Sequence, residues 1–305
     1  TIIGHKNQDS DATFACMALN NLFNKTGSLK TQVKISDNPN KETRFVFNKL
    51  KIQKPSRLNP EKIKSVFLVD FNESGQSPID LDKVEIEGLV DHHKLDIKIQ
   101  KDYPIIFRVE PLGSSSSIVY KMYKDEKIKI DKKTAGMLLA GIISDTLKFS
   151  SPTTTKQDQK IAKELSRISA LNISDLAKNM FKAKSDLTGT SAKEIIRTDY
   201  KEFDFSGYKT GIGVFETVDP KKALQMEDQI KQALKEYKKK QNLDLIFFAI
   251  VDIIKNNSEI ILVEEAEEKV AKKVFGKPIQ NQKMFLKGIV SRKKQIVPEF
   301  MKKLK

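Results

Sequence analysis

All 3 histidines of this 305-residue chain lie beside acidic residues. His5 stands in Gly4-His5-Lys6-Asn7-Gln8-Asp9-Ser10-Asp11, with aspartates at i+4 and i+6, and His92-His93 directly follow Asp91. A lone buried histidine is ordinarily a satisfied core residue. Histidine with aspartates at these spacings, on the turn into a helix, instead makes a convergent polar cluster that packing alone does not favour. Two further carboxylates have suitable surroundings. Asp70 ends the apolar run Val66-Phe67-Leu68-Val69, and Asp145 ends the apolar stretch Met137 to Ile143, between Ser144 and Thr146. Either alone could simply cap or turn the chain. Together with the histidine clusters they supply enough imidazole and carboxylate for two cations.

A mixed nitrogen and oxygen ligand set suits Mn²⁺, Co²⁺ or Fe²⁺ better than the oxygen-preferring Mg²⁺, and Cys16 adds no case for a thiolate zinc site. Divalent cations about 3.5 to 4 Å apart bind one bridging water, lower its pKa towards neutrality and present hydroxide for in-line attack on phosphorus. Paired cations also let neighbouring carboxylates stay ionised. The expected chemistry is hydrolysis.

The elements that must position these groups are legible as alternating short β-branched runs and helical stretches up to about residue 186, which suggests crossovers and a parallel sheet. Strands are expected at Gln32 to Ile35, Ser65 to Phe71, Gly88 to Asp91 and Tyr103 to Glu110. Helices are expected at Asp11 to Asn24, Thr134 to Asp145, Lys156 to Ser169 and Ile173 to Lys184. Both histidine clusters then fall at strand ends, where α/β folds build ligand sites.

The small polar segment from Ser185 to Ser191 marks a change of pattern. Beyond it, strands are expected at Tyr200 to Phe205, Lys209 to Val218, Leu243 to Ile254 and Glu259 to Glu264, with helices at Ala223 to Lys240 and Glu267 to Phe275. Lys255-Asn256-Asn257-Ser258 reads as a hairpin turn. The expectation is an α/β protein: a parallel-sheet domain over residues 1–185, a linker over 186–191, and a smaller α+β domain with a mixed sheet over 192–305. The active site is expected in the cleft between the domains.

Composition bounds the rest. With 39% hydrophobic and 31% charged residues the chain is neither disordered nor collagen-like, and a single cysteine cannot build a disulfide framework. The longest apolar run, Leu245 to Ile254, is interrupted by Asp252 and too short to cross a bilayer, and no basic-then-apolar leader pattern opens the chain. A cytoplasmic protein without a membrane partner is expected. The net charge of +15 favours a polyanionic partner, but the lysines are spread along the chain and read mainly as solvated surface.

Asp91-His92-His93 after an apolar strand is the motif that names the DHH phosphoesterases, and Gly4 to Asp11 resembles that superfamily's first metal motif. Within it the chain most resembles the family II, manganese-dependent inorganic pyrophosphatases. Val69-Asp70-Phe71-Asn72-Glu73, Asp91-His92-His93-Lys94, Ser144 to Pro152 and Ser291-Arg292-Lys293-Lys294-Gln295 carry that resemblance, which spans nearly the whole chain.

The resemblance implies that His5, Asp9 and Asp70 hold one manganese and that Asp11, Asp70, His92 and Asp145 hold the other, with Asp70 bridging. It implies that His93 lies near the substrate phosphate as hydrogen-bond donor or acid, and that Arg292, Lys293 and Lys201 grip phosphate oxygens, Lys182 being a rival for the third position. It further implies that Co²⁺ can substitute, that Mg²⁺ arrives with the substrate, and that the protein is a homodimer. Taken alone, Ser291 to Lys294 reads equally as a solvated basic turn. Fixed cations do stabilise the charge that builds on phosphate oxygens.

Two positions depart from the family pattern: Phe71 stands where histidine is usual, and Gln8 where proline is usual. Neither removes a ligand, but Phe71 is expected to lack an outer hydrogen bond that would tune metal affinity or rate. Gly113-Ser114-Ser115-Ser116-Ser117, leading into a helix, reads either as a simple helix cap or as a secondary anion site built on backbone amides.

The leading expectation is a pyrophosphatase that hydrolyses pyrophosphate to two phosphates through a metal-bridging hydroxide, with no covalent intermediate. The enzyme alternative is a phosphodiesterase or nucleotide phosphatase of the same superfamily acting on short oligonucleotides or bisphosphorylated nucleosides. Such relatives typically carry a glycine-rich segment ending in histidine in the second domain, and this chain has no histidine after His93. A nucleic-acid-binding protein with a structural metal cluster is the reading from a different class, motivated by the charge; steeply salt-dependent binding would be its mark.

Overall fold

The computed structural model describes residues 1–96 and 103–304. Two compact units divide the chain, Thr1–Ala183 and Lys184–Lys305.

The first unit runs β1 (Ile2–Ile3), α1 (Ser10–Thr26), β2 (Lys34–Ile35), α2 (Lys41–Leu50), β3 (Ser56–Arg57), β4 (Ser65–Val69), β5 (Glu85–Asp91), β6 (Ile106–Val109), α3 (Ser115–Asp125), α4 (Lys132–Asp145), α5 (Lys156–Ser169) and α6 (Ile173–Lys184). Its main sheet has the order β1-β4-β5-β6 and every pairing is parallel. Ile3 pairs with Leu68 and Val69 with Val90, so β1, β4 and β5 end along one edge, with His5 two residues beyond β1, Asp70 directly after β4 and His92 directly after β5. β4 is buried from Val66 onwards, and the second half of β5 is buried on both faces, which demands unbroken apolar runs rather than alternation.

Between β4 and β5 the described chain has only short 3₁₀ turns, Ser74–Gln76 and Leu81–Lys83. Gly75 and Pro78 interrupt that connection and disfavour a longer helix. Two helices were less visible in the sequence. α2 is a short amphipathic helix capped by Asn40, and α3 starts within the serine run at Ser115, capped by Ser114. α4 is buried from Thr134 to Ser144, and its glycines and alanines let neighbours approach closely.

The second unit contains α7 (Ala192–Ile195), β7 (Tyr200–Phe205), β8 (Tyr208–Thr217), α8 (Pro220–Leu224), α9 (Glu227–Lys240), β9 (Leu245–Asp252), β10 (Asn257–Ile261), α10 (Glu265–Phe275), β11 (Ile279–Gln280), β12 (Lys283–Lys287) and α11 (Val297–Lys303). Its sheet, in the order β11-β12-β10-β9-β8-β7, is antiparallel except for the β8–β9 pair. β9 is buried throughout: Phe248 packs in a cluster with Ile230, Leu234 and Ile250, while Phe247 meets Phe300 at 4.8 Å between ring centroids.

The helix expected over Ala223 to Lys240 is two helices, α8 and α9, separated at Gln225 and Met226, although Ala223 and Ile230 still fill one cluster. The hairpin turn lies earlier than expected. Asn257 already pairs with Asp252, whose Oδ1 accepts the N–H groups of Ile254 and Lys255 at 2.9 Å each, so this carboxylate closes the turn over residues 253–256. Among the described residues no helix is long and apolar enough to cross a membrane.

Gly88, in β5, is closely packed: a Cβ there would lie 2.4 Å from Phe67 Cε2 and 2.7 Å from the Ile106 carbonyl oxygen. Gly88→Ala is expected to destabilise the chain by about 1–3 kcal/mol through overpacking. Urea unfolding checks this, and an unchanged midpoint would show that β6 yields freely.

Candidate metal centre

Three separate strand ends and two helices deliver the polar cluster of the first unit. Asp9 caps α1: its Oδ1 accepts the Ala12 N–H at 2.9 Å, and its Oδ2 lies 3.7 Å from His5 Nε2. Asp70 follows β4 with φ +69, a left-handed conformation that aspartate tolerates better than most side chains. Its N–H remains bonded to the Val90 carbonyl at 2.9 Å, and Ser115 Oγ donates to Oδ1 at 2.8 Å.

The two Asp70 oxygens face different histidines. Oδ2 lies 3.6 Å from His5 Nε2, and Oδ1 lies 3.4 Å from His92 Nε2. Asp145, at the end of α4, brings its Oδ2 to 3.2 Å from the same His92 nitrogen. Ligand atoms of His5, Asp9 and Asp70 all lie within 4.8 Å of one another, as do those of Asp11, Asp70, His92 and Asp145, and those of Asp70, His92 and His93. The structure thus brings together His5, Asp9, Asp11, Asp70, His92 and Asp145 around one shared carboxylate.

The imidazole orientations say what belongs between them. His5 Nδ1 donates to the Lys6 carbonyl at 2.6 Å and His92 Nδ1 donates to the Leu112 carbonyl at 3.0 Å. In a neutral ring that commitment leaves a lone pair on Nε2, aimed at carboxylate oxygens. Lone pairs and carboxylates facing one another at 3.2 to 3.7 Å repel unless a proton or a cation sits among them. Burial opposes a charge on His5, yet the hydrogen bonds and negative charges of Asp70 and Asp9 outweigh it and hold its pKa well above the usual histidine range. Burial, reinforced by Asp70 and Asp145, holds Asp11 well above the usual carboxylate range. Neighbouring negative charge contributes to both directions, at Asp11 after burial. The donor set fits divalent manganese, for which mixed imidazole and carboxylate sites are suited.

Asp11 is fully buried and its anchors come from elsewhere in the chain. The N–H groups of Ser115 and Ser116, at the start of α3, donate to Oδ2 at 2.7 Å and Oδ1 at 3.0 Å. Gly113 N–H and Ser117 Oγ donate to Asp158, at 2.9 and 2.6 Å. Of the two readings of this segment, the structure favours the helix cap over an external anion site: Ser114 caps α3, and the helix N-terminus is engaged by the protein's own aspartates. α4 fits against it through Gly141, where a Cβ would lie 2.1 Å from Ser116 Oγ and 2.6 Å from Asp11 Oδ1.

His93 is held by Asp91. Asp91 Oδ1 accepts from His93 Nδ1 at 2.8 Å and from the N–H groups of His92 and His93 at 2.7 and 3.1 Å, while Oδ2 accepts from Asn72 Nδ2 at 2.6 Å. Burial raises the Asp91 pKa, but these hydrogen bonds and histidine charges prevail and hold it well below the usual range. Burial and the neighbouring His92 push His93 down to about 4 against the pull of Asp91. The Nδ1 edge of the ring is thus fixed against Asp91. Phe71 packs with Ile3, Leu68, Ile79 and Leu89 on an apolar face, whereas Asn72 supplies the polar contact nearby.

The cations of the second unit lie apart from this cluster in sequence. Arg292 sits in a π-helical turn, Arg292–Ile296. Its Nη1 donates to the carbonyls of Asp199 at 2.7 Å and Ile212 at 3.3 Å, and its Nη2 to Asp199 Oδ1 at 2.5 Å. Ile212 is the register partner of Lys201, so the start of β7 is stitched to the turn bearing Arg292 and Lys293. Gln295 steadies that turn, accepting the N–H groups of Val290 and Ser291 at 2.9 and 3.0 Å. Lys182 lies on α6, in the first unit.

Sequence reasoning passed over Asp91, Asn72, Ser115, Ser116 and Gly141 as supports. The serine run and the acid of the Asp91-His92-His93 motif were the available signals, but neither says which partner it meets.

With this geometry in hand, residues 1–142 match the DHH family, N-terminal domain, and residues 178–303 match the DHHA2 domain. The manganese-dependent inorganic pyrophosphatase of Methanothrix thermoacetophila is 35% identical over 298 residues, covering 97% of this chain and 96% of that protein. A Streptococcus pyogenes protein assigned the same name is 36% identical over 301 residues, covering 98% and 96%. A crystal structure from Methanococcus jannaschii, of a protein assigned to the family II inorganic pyrophosphatases, superposes with a TM-score of 0.88 at 33% identity, covering 99% of this chain and 98% of that one.

Gly141→Ala is expected to part Asp11 from the α3 amides and to lower Mn²⁺ affinity by about ten- to a hundredfold, as loss of outer support around metal ligands does. Isothermal titration of metal-stripped protein reads this, with circular dichroism as the control for folding. Unaltered affinity would show that the close approach of α4 does not hold the ligand.

Proposed function

The chain belongs to the manganese-dependent, family II inorganic pyrophosphatases of the DHH superfamily, and from that premise we propose that it hydrolyses inorganic pyrophosphate to two phosphates. The observation that carries the reading is the division of the Asp70 carboxylate, one oxygen towards His5 and one towards His92. His5, Asp9 and Asp70 would hold one Mn²⁺, and Asp11, Asp70, His92 and Asp145 the other. Two such ions supply an activated water and positive charge at phosphate oxygens, and Co²⁺ has similar ligand preferences.

The chain's own residues do the rest. Asp91 orients His93 through Nδ1, which leaves Nε2 to exchange a proton with a phosphate oxygen. Lys201, Arg292 and Lys293 grip the substrate, which brings Mg²⁺ of its own. Arg292 and Lys201 are held near one another by the β7–β8 pairing, which favours Lys201 over Lys182 as the third cation. Asp199 fixes the guanidinium while leaving further N–H groups for an anion. No covalent nucleophile is required, and nucleic acid is not the partner proposed.

A homodimer through β6 is part of this reading. β6 is the last strand in its sheet order, and Ile106 and Phe107 on it are 41% and 47% exposed. A reducing, cytoplasmic setting accords with the one buried, free cysteine, Cys16.

Metal-stripped protein supplied with Mn²⁺, Co²⁺ or Mg²⁺ tests the assignment. Phosphate release from pyrophosphate is expected with Mn²⁺ or Co²⁺, and none from a short oligonucleotide or a bisphosphorylated nucleoside run alongside; turnover of a nucleotide in place of pyrophosphate would move the protein to another branch of the superfamily. Asp70→Asn is expected to lower kcat by on the order of a thousandfold while the chain remains folded. Near-normal turnover in that variant would remove Asp70 from the bridging position.

A further inference from the structure

Glu42 lies on α2, outside every motif that carries the family resemblance, and is 1% exposed. Burying a carboxylate is costly unless hydrogen bonds and local fields compensate. Here its Oε2 accepts from Ser144 Oγ at 2.8 Å and from Ser10 Oγ at 3.2 Å. Ser10 Oγ also lies 3.0 Å from Thr43 Oγ1, so a chain of hydroxyls runs from Thr43 through Ser10 to the carboxylate. The first turn of α2 adds a helix N-terminus favourable to negative charge.

The two donors are what give this contact meaning. Ser10 stands between Asp9 and Asp11 at the start of α1, and Ser144 directly precedes Asp145 at the end of α4. One carboxylate oxygen therefore ties together the two helix ends that deliver Asp11 and Asp145. An apolar side chain of similar size would fill the same volume, but it would leave both hydroxyls without this acceptor and the two ends free to separate.

We propose that Glu42 is a positioning residue for the manganese held by Asp11, Asp70, His92 and Asp145, fixing the separation of Asp11 from Asp145 through Ser10 and Ser144. This rests on the two-metal reading above. Glu42 touches neither substrate nor metal; it acts through the two serines. The first ion, held by His5, Asp9 and Asp70, depends less on it, because the α4 side of the tie does not reach that set.

The test is Mn²⁺ titration of the full, metal-stripped chain, followed by calorimetry and by electron paramagnetic resonance, for the unaltered protein, Glu42→Ala, Glu42→Gln and Ser144→Ala. The unaltered chain is expected to bind two ions. Glu42→Ala is expected to weaken one of them by about ten- to a hundredfold and leave the other in place. Glu42→Gln keeps an acceptor oxygen and is expected to restore most of that affinity. Ser144→Ala removes one donor and should weaken the same ion, which preserves the test if Glu42→Ala does not fold. A purely structural role would weaken both ions together or neither; either result overturns the proposal. An unaltered chain that binds no manganese overturns the metal-centre reading itself.

Discussion

The carboxylates of Asp9, Asp11, Asp70 and Asp145 crowd round two histidines in a partly buried place, and the first unit is organised to hold these like charges together. Left to itself such a cluster would fly apart or take up protons, and the upward direction at Asp11 records that tendency. A parallel sheet resists it by geometry: β1, β4 and β5 end along one edge and deliver His5, Asp70 and His92 side by side from distant parts of the chain.

The remaining supports each answer a particular part of the same problem. The amides at the start of α3 meet Asp11 with partial positive charge, and Ser115 spends its hydroxyl on Asp70. Carbonyls of Lys6 and Leu112 set the histidine tautomers, and Asp91 does the same for His93. Gly141 permits the close approach of α4, and Glu42 ties its end to α1. The second unit works to a different end. Its mixed sheet and the Gln295-braced turn hold Arg292 against the start of β7 through Asp199 and the Ile212 carbonyl.

Much of the architecture was legible in local pattern. The boundaries of α5, α6 and β7 agree with their periodicity, because capping residues and apolar spacing act over a few positions. The α8–α9 break and the placement of the β9–β10 turn were not. In the turn, a side-chain interaction of Asp252 decided where the strands start, and nothing in the spacing of apolar residues records it. Phe71 shows the same limit: its packing against Ile3, Leu68 and Leu89 depends on which strands become neighbours.

The amino-acid sequence by itself determined the cast of the centre. Imidazole beside carboxylate at strand ends, few histidines and unbroken apolar strands are composition and short-range order, and these also carry the family resemblance. Only the tertiary structure decided which oxygen of Asp70 faces which histidine, that the serine-run amides serve Asp11 and not an outside anion, and that Glu42 joins Ser10 to Ser144. Those contacts bridge separations such as the 104 residues between Asp11 and Ser115. They are fixed by strand register and helix packing, and a periodicity of two or 3.6 residues holds no information about partners that far away.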